Sequence, residues 1–181
     1  MHLNHNRGAL APSAVELRAG QYLMFTLGGE TFACGIDSIR EIIECPPMTP
    51  IPLTPAFLRG VINLRGAVVP VIDLSVRFER PRTALAERTC IVIVEVAGEG
   101  GAQLLGVIVD GVNEVLEVEF KDLEARPNLG SGIRADFVAG MIRQNDRFVL
   151  MLDMDRVLSS DELEALVLVQ QQARTQAGAT Q

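Results

Sequence analysis

The sequence predicts a mainly β protein, two small barrels closed by one C-terminal helix. Three observations carry that expectation. An apolar-and-glycine pattern occurs twice: Phe57, Gly60, Ile62, Val69, Ile72 and Asp73 return at one fixed offset, with no gap, as Phe137, Gly140, Ile142, Val149, Leu152 and Asp153. Short β-rich runs follow one another at regular spacing between Gly- or Pro-containing turns, which favours small barrels over an α/β sheet. Clear helical spacing appears only near the end of the chain. A shorter match sets Ile36–Ile42 against Val109–Val115, so each half reads as one copy of a β-rich unit.

The elements follow in order. Residues 1–20 are polar and aperiodic and read as a flexible arm; 21–168 form the folded domain; 169–181 are a Gln/Ala-rich flexible tail. Tyr22–Leu27 and Glu30–Cys34 are strands joined by Gly28-Gly29, because a tight hairpin needs positive φ at both central residues. Ile36–Ile43 fits a helical turn or a strand. Pro46, Pro47, Pro50, Pro52 and Pro55 then forbid regular structure. Phe57–Gly60 reads as a short turn anchoring Phe57. Val61–Leu64 and Ala67–Ile72 flank the hairpin turn Arg65-Gly66. Pro70 has no N–H to give a ladder, so its strand should lie at an edge there.

Pro81–Glu87 is polar and marks the passage between halves. Strands resume at Thr89–Val96, turn at Gly98–Gly101, return over Gln103–Asp110 and continue at Val112–Val118. Ala125–Gly132 is a loop, and Phe137–Arg143 pairs with Arg147–Asp153 around Gln144-Asn145-Asp146. Ser159 and Glu162 form a capping box before a helix whose Leu163, Leu166 and Val167 should dock on the barrels.

Hydrophobic residues make up 48% of the chain but aromatics only 4%, so the core must be aliphatic. A net charge of −7 argues against nucleic acid or an anionic membrane as the main partner. Cys34, Cys45 and Cys90 form no metal-ligand spacing and no disulfide framework; Cys34 and Cys90 sit in apolar runs and read as buried thiols, which suits a reducing cytoplasm. The N-terminus lacks the basic and apolar regions of a signal peptide, and no apolar run approaches the roughly 20 residues of a membrane helix, so no membrane insertion is expected.

Candidate chemistry is sparse. His2 and His5 lie in the arm, where nothing holds them near a partner. The glycine segments lack a following Lys-Ser/Thr and do not open a helix, so they are hairpin turns and not phosphate cradles. No catalytic residue, cofactor or metal site is expected. Asp37, Asp73, Asp110 and Asp153 sit where strands end, where Asp accepts local backbone N–H bonds. The alternative is a small β-fold hydrolase using Asp73 and Asp153 as paired acids.

Residues 57–74, FLRGVINLRGAVVPVIDL, resemble the signature of the CheW-like chemotaxis coupling proteins. The resemblance spans roughly Gln21–Leu168 and takes in Phe25–Gly28, Ile39–Ile42, Gly106–Val112 and Leu129–Leu158. It implies two SH3-like five-stranded barrels around a shared apolar seam, and an adaptor without catalysis. The implied partners are the cytoplasmic tip of a chemoreceptor, the regulatory domain of a CheA-type histidine kinase, and other CheW-like domains. It fits flagellar chemotaxis and pilus or second-messenger pathways equally. Carried onto this chain, the receptor-binding residues are Glu41 and Arg65 as an acidic and basic pair, Ile39 and Ile42 lining the surface, and Gly60 and Asn63 shaping it. Gly66, Pro70, Ile72, Asp73, Gly140 and Leu152 are expected at core or turn positions. The competing account of Glu41–Arg65 is a structural salt bridge. Ile39 and Ile42 cannot both face inward on a regular strand, so at least one should be free for a partner.

Overall fold

Paired positive-φ residues decide where this chain reverses. Gly28 and Gly29 (φ 61° and 81°), Arg65 and Gly66 (51° and 88°), and Asn145 and Asp146 (49° and 65°) each make a two-residue turn whose twist matches the flanking strands. The computed structural model describes residues 17–98, 100–125 and 135–179. Within them the strands are β1 Gly20–Leu27, β2 Glu30–Gly35, β3 Ile39–Glu44, β4 Leu58–Leu64, β5 Ala67–Asp73, β6 Cys90–Gly98, β7 Gly101–Val109, β8 Gly111–Val118, β9 Leu123–Glu124, β10 Val138–Gln144 and β11 Arg147–Leu152. The helices are α1 Leu74–Arg77 and α2 Ser160–Ala179. His2, His5, most of the expected arm and most of the 125–132 loop lie outside the described residues.

The strands form two sheets, ordered β8-β1-β2-β11-β10-β9 and β3-β6-β7-β5-β4. Strands β3, β6, β7, β5 and β4 occupy the places of β8, β1, β2, β11 and β10, so the sequence repeat is a structural one. The units are nevertheless not the two halves of the chain. The N-terminal hairpin β1–β2 sits with β8–β11 in a terminal subdomain, and β3–β7 form a middle subdomain. The fold is mainly β, two SH3-like subdomains and a C-terminal helix. Each has the five expected strands; the sixth, two-residue β9 pairs with Met141 and Ile142, and its counterpart in the middle subdomain is the lone bridge Thr49–Val61. Both units carry a β-bulge before the repeated glycine, between Leu58 and Gly60 and between Val138 and Gly140. The amide of Asp73 donates to Phe57 O (2.7 Å) as that of Asp153 does to Phe137 O (2.9 Å).

Side-chain alternation distributes the core over three apolar clusters. Leu23, Phe25 and Leu27 of β1 meet Val92, Val94 and Val96 of β6 in a seam shared by both sheets. The residues between them point the other way: Tyr22 and Met24 into the terminal subdomain, Ile91 and Ile93 into the middle one. Strands buried on both faces are why the sequence reads as near-continuous apolar runs. Arg77 of α1 bridges the repeat. Its guanidinium lies 5.2 Å from the Phe57 ring centroid and 5.0 Å from that of Phe137, while Nε donates to Val157 O (2.8 Å) and Nη2 to Glu162 Oε1 (2.9 Å).

Several elements differ from expectation. Strand β5 is flanked by β4 and β7, not an edge strand, yet its parallel ladder to β7 begins only at Val71; Pro70 lies just before it and is tolerated for that reason. Phe57–Gly60 leads straight into β4, and α1 was not foreseen: the Asp73 side chain caps it by accepting from Ser75 N (3.0 Å). The 36–43 segment is both alternatives in sequence, a 3-10 turn at Ile36–Ser38 and then β3.

The capping box is formed, Ser159 N donating to Glu162 Oε1 (2.7 Å) and Glu162 N to Ser159 Oγ (3.1 Å). Helix α2 then runs past Leu168 to Ala179, buries Val169 where Val167 stays half-exposed, and holds Gln170 against β5 by its amide donating to Val68 O.

Cys34 is buried and desolvation raises its thiol pKa to about 12, whereas Cys90, expected buried, is half-exposed at the start of β6. Alkylation of the native protein should therefore modify Cys90 and Cys45 and spare Cys34 until denaturant is added. Mass spectrometry of partially alkylated protein measures this, and early labelling of Cys34 would contradict its burial.

Candidate functional site

Strand β3 is the outer strand of the middle sheet, and the β4–β5 hairpin tip reaches over to it. Arg65 sits in the left-handed turn, so its side chain leaves the hairpin toward β3 instead of along β4. There it forks onto Glu41: Nη1 to Oε1 at 2.6 Å and Nη2 to Oε2 at 2.8 Å. The hydrogen bonds from Arg65 hold the Glu41 carboxyl below its usual pKa, and Glu41 in turn raises the guanidinium pKa. Arg65 is 72% exposed and Glu41 28%, so the arginine carries most of the pair's solvent-facing surface. Asn63 fixes the turn from below, its Oδ1 accepting the Gly66 N–H (2.8 Å).

Two further residues behave as the bulge in β3 dictates. The register shifts between Ile39 and Glu41, leaving Ile39 opposite Val94 and Ile42 opposite Val92. Both isoleucines therefore face the seam side, which a regular strand would forbid. Ile39 is half-buried against the seam core, and Ile42 stays 41% exposed. Gly60 lies beneath the surface. At its φ of 147° an added Cβ would stand 2.5 Å from Thr49 O, so this glycine lets the proline-rich segment close against β4. The structure thus gathers Glu41, Ile42, Asn63 and Arg65 at one sheet edge and keeps Ile39 and Gly60 under it.

The carboxylates do not form a paired acid site. Asp73 is fully buried. Its Oδ1 accepts from Ser75 N and Thr83 Oγ1 (2.8 Å), and its Oδ2 from Thr83 N (2.9 Å) and Arg59 Nη1 (2.9 Å). Both oxygens are committed, which leaves no lone pair facing a substrate. Asp153 accepts from Asp155 N (3.0 Å), and burial pushes its pKa up. Asp110 accepts from Gly28 N (2.7 Å) across the sheet. Sequence reading missed Arg59. The available signal was a lone arginine between Leu58 and Gly60, where the repeat has Ala139.

Ile72 and Leu152 are buried in the seam, and a Cβ on Gly140 would stand 2.9 Å from Glu124 O. Among the described residues no group of three or more His, Cys, Asp or Glu is arranged to hold a metal ion, and no helix is long and apolar enough to cross a membrane.

Comparison with known proteins gives a consistent result. Residues 21–162 match the family described as "CheW-like domain". A chemotaxis protein CheW of Klebsiella aerogenes is 32% identical over 143 residues, covering 79% of this chain and 84% of the relative. That of Treponema pallidum is 32% identical over 168 residues, covering 91% and 95%. The crystal structure of scaffolding protein TtCheW from Thermoanaerobacter tengcongensis superposes with a TM-score of 0.70 at 29% identity, covering 88% of this chain and 94% of that one.

Proposed function

The chain belongs to the CheW-like family, and from that premise we propose that it is a cytoplasmic adaptor coupling the tips of chemoreceptors to the regulatory domain of a CheA-type histidine kinase. Coupling works through geometry: a partner bound at one surface biases the orientation of a partner bound at another, with no bond made or broken on this protein. The receptor-facing surface is the edge of the middle subdomain built by Glu41, Ile42, Asn63 and Arg65, with Ile39 and Gly60 supporting it from within.

The observation that carries this reading is the Glu41–Arg65 fork. It is bidentate, so both side chains are held in one orientation, and it is exposed, so its contribution to stability is small. A preorganised charged pair at a sheet edge, with Ile42 exposed on the other face of the same strand, suits a helical hairpin that wraps the edge with apolar and charged residues. The hydrolase alternative is not favoured, because Asp73 is committed to Arg59, Ser75 and Thr83.

The test is co-sedimentation of the protein with a receptor cytoplasmic fragment and the cognate kinase, with kinase activity read in the same tube. Glu41→Arg and Arg65→Glu should each weaken receptor coupling about tenfold or more at unchanged melting temperature, as loss of an interfacial charge does. The double reversal restores the internal pair but presents inverted charges, so coupling should stay lost. Full recovery of coupling in the double variant would mean that the pair serves structure alone.

A further inference from the structure

The repeat sets two carboxylates in equivalent places, and they are not equally satisfied. Asp73 and Asp153 each donate the amide to the repeated phenylalanine, Phe57 or Phe137. Each then uses Oδ1 to accept from the amide two residues on, Ser75 N for Asp73 and Asp155 N for Asp153, both at 3.0 Å. The second oxygens differ. Asp73 Oδ2 accepts from Arg59 Nη1 and Thr83 N (both 2.9 Å), and the same arginine nitrogen reaches Thr83 O at 3.0 Å. Asp153 Oδ2 has no hydrogen-bond partner among the described residues. The cause is one substitution within the repeat: Ala139 stands in the β10 bulge where Arg59 stands in the β4 bulge.

Ala139 and Asp153 share the wall of a cavity of about 480 Å³ with Tyr22, Asp37, Glu117 and Asp155. Four carboxylates line it against one cation, Arg18. Neither Arg18 nor the nearby Arg156 bonds to the Asp153 carboxylate, and each is engaged elsewhere. Burial acts most strongly on Asp153 and Arg156 least among the groups that act on it, so its pKa is raised. Among the described residues no three acids are arranged to hold a metal ion, which leaves an organic cation as the complement.

We propose that this cavity is a binding site for a guanidinium group that comes from outside the chain and takes, on Asp153 Oδ2, the place that Arg59 takes on Asp73 Oδ2. The equivalent site shows why a guanidinium fits. Arg59 is only 7% exposed, and one of its nitrogens serves a carboxylate and a carbonyl together. An ammonium is more strongly hydrated and costs more to bring into such a place. No residue on this wall belongs to the Glu41–Arg65 edge, so the site does not rest on the receptor reading.

The probe is Nα-acetyl-arginine methylamide, titrated into the isotope-labelled full chain and followed by amide shifts. Saturable binding is expected, with shifts at Gly35–Ser38, Ala139 and Asp153–Asp155. Asp153→Asn keeps an acceptor for the Asp155 amide but removes the charge, and should weaken binding about tenfold or more. Nα-acetyl-lysine methylamide should bind several-fold more weakly. Ala139→Arg supplies the group from within and should block the probe. Adding Asp153→Asn to it should lower the melting temperature by more than Asp153→Asn does alone. No saturation at tens of millimolar probe overturns the proposal. So do shifts confined to other walls, equal binding of the lysine compound, or undiminished binding to Asp153→Asn. A Gly-Gly-Arg-Gly-Gly peptide and free arginine separate two sources of the group. Tighter binding of the peptide assigns the site to a partner's side chain, tighter binding of free arginine assigns it to a small solute, and either result upholds it.

Discussion

Ile72→Asp should abolish cooperative folding of the whole chain. Ile72 is fully buried, paired with Leu58 on one side and Val107 on the other, and belongs to the seam cluster. Removing its side chain costs about 2–5 kcal/mol. An unpaired carboxylate in its place adds several kcal/mol of desolvation. Together they approach or exceed the roughly 5–15 kcal/mol that holds a typical domain folded. Leu152→Asp should do the same from the other sheet, because Leu152 lies in the same cluster as Ile72. Thermal melts followed by circular dichroism check both, with Ile72→Val as a control expected to cost only about 0.5–1.5 kcal/mol. A wild-type melt for either aspartate variant would show that its strand faces the other way. Survival of one subdomain's transition alone would show that the seam does not couple them.

Asp73→Ala should cost about 3–5 kcal/mol, the range for stripping one partner from a buried ion pair. Arg59, whose side chain is only 7% exposed, would lose its carboxylate, and its Nε already has no hydrogen-bond partner. Helix α1 would lose its cap, and Thr83 two bonds that tie the 81–89 segment to the middle subdomain. Arg59→Met should cost less, because Asp73 keeps three bonds to Ser75 and Thr83 without it. Urea denaturation of the two single variants and the double variant gives the coupling directly. A loss below about 1 kcal/mol for Asp73→Ala would place its value in the range of a helix cap alone.

Much of this was legible in the sequence because the repeat matched side chains that the fold uses twice. Phe57 and Phe137 bracket the same arginine, and Gly60 and Gly140 follow the same bulge. Turn chemistry gave the hairpins for the same reason. What stayed hidden was long-range or too short to have a period. Nothing in the Tyr22–Gly35 pattern says that β2, paired with β1 on one edge, takes β11 and not β3 on the other. Helix α1 has four residues, fewer than a periodicity needs. The Gln-rich end of α2 lacks an apolar stripe beyond Val169, and it docks through an amide to a backbone carbonyl, which composition does not reveal. At the candidate site, Glu41 and Arg65 came from family resemblance alone. Their fork depends on a left-handed arginine aimed across to another strand, and Ile39 and Ile42 share a face only because β3 bulges.

The interleaved connectivity has a mechanical consequence. The strands cross between subdomains twice, from β2 to β3 and from β7 to β8, both times over a few residues, and after β11 the chain crosses again to lay α2 on β5. Two barrels joined by one linker would swivel like beads on a thread. These crossings, a common apolar seam and one guanidinium against both Phe57 and Phe137 resist bending and torsion together. The molecule is thus a stiff lever: a small rotation imposed at the edge of one barrel is carried to the far end of the other instead of being absorbed between them.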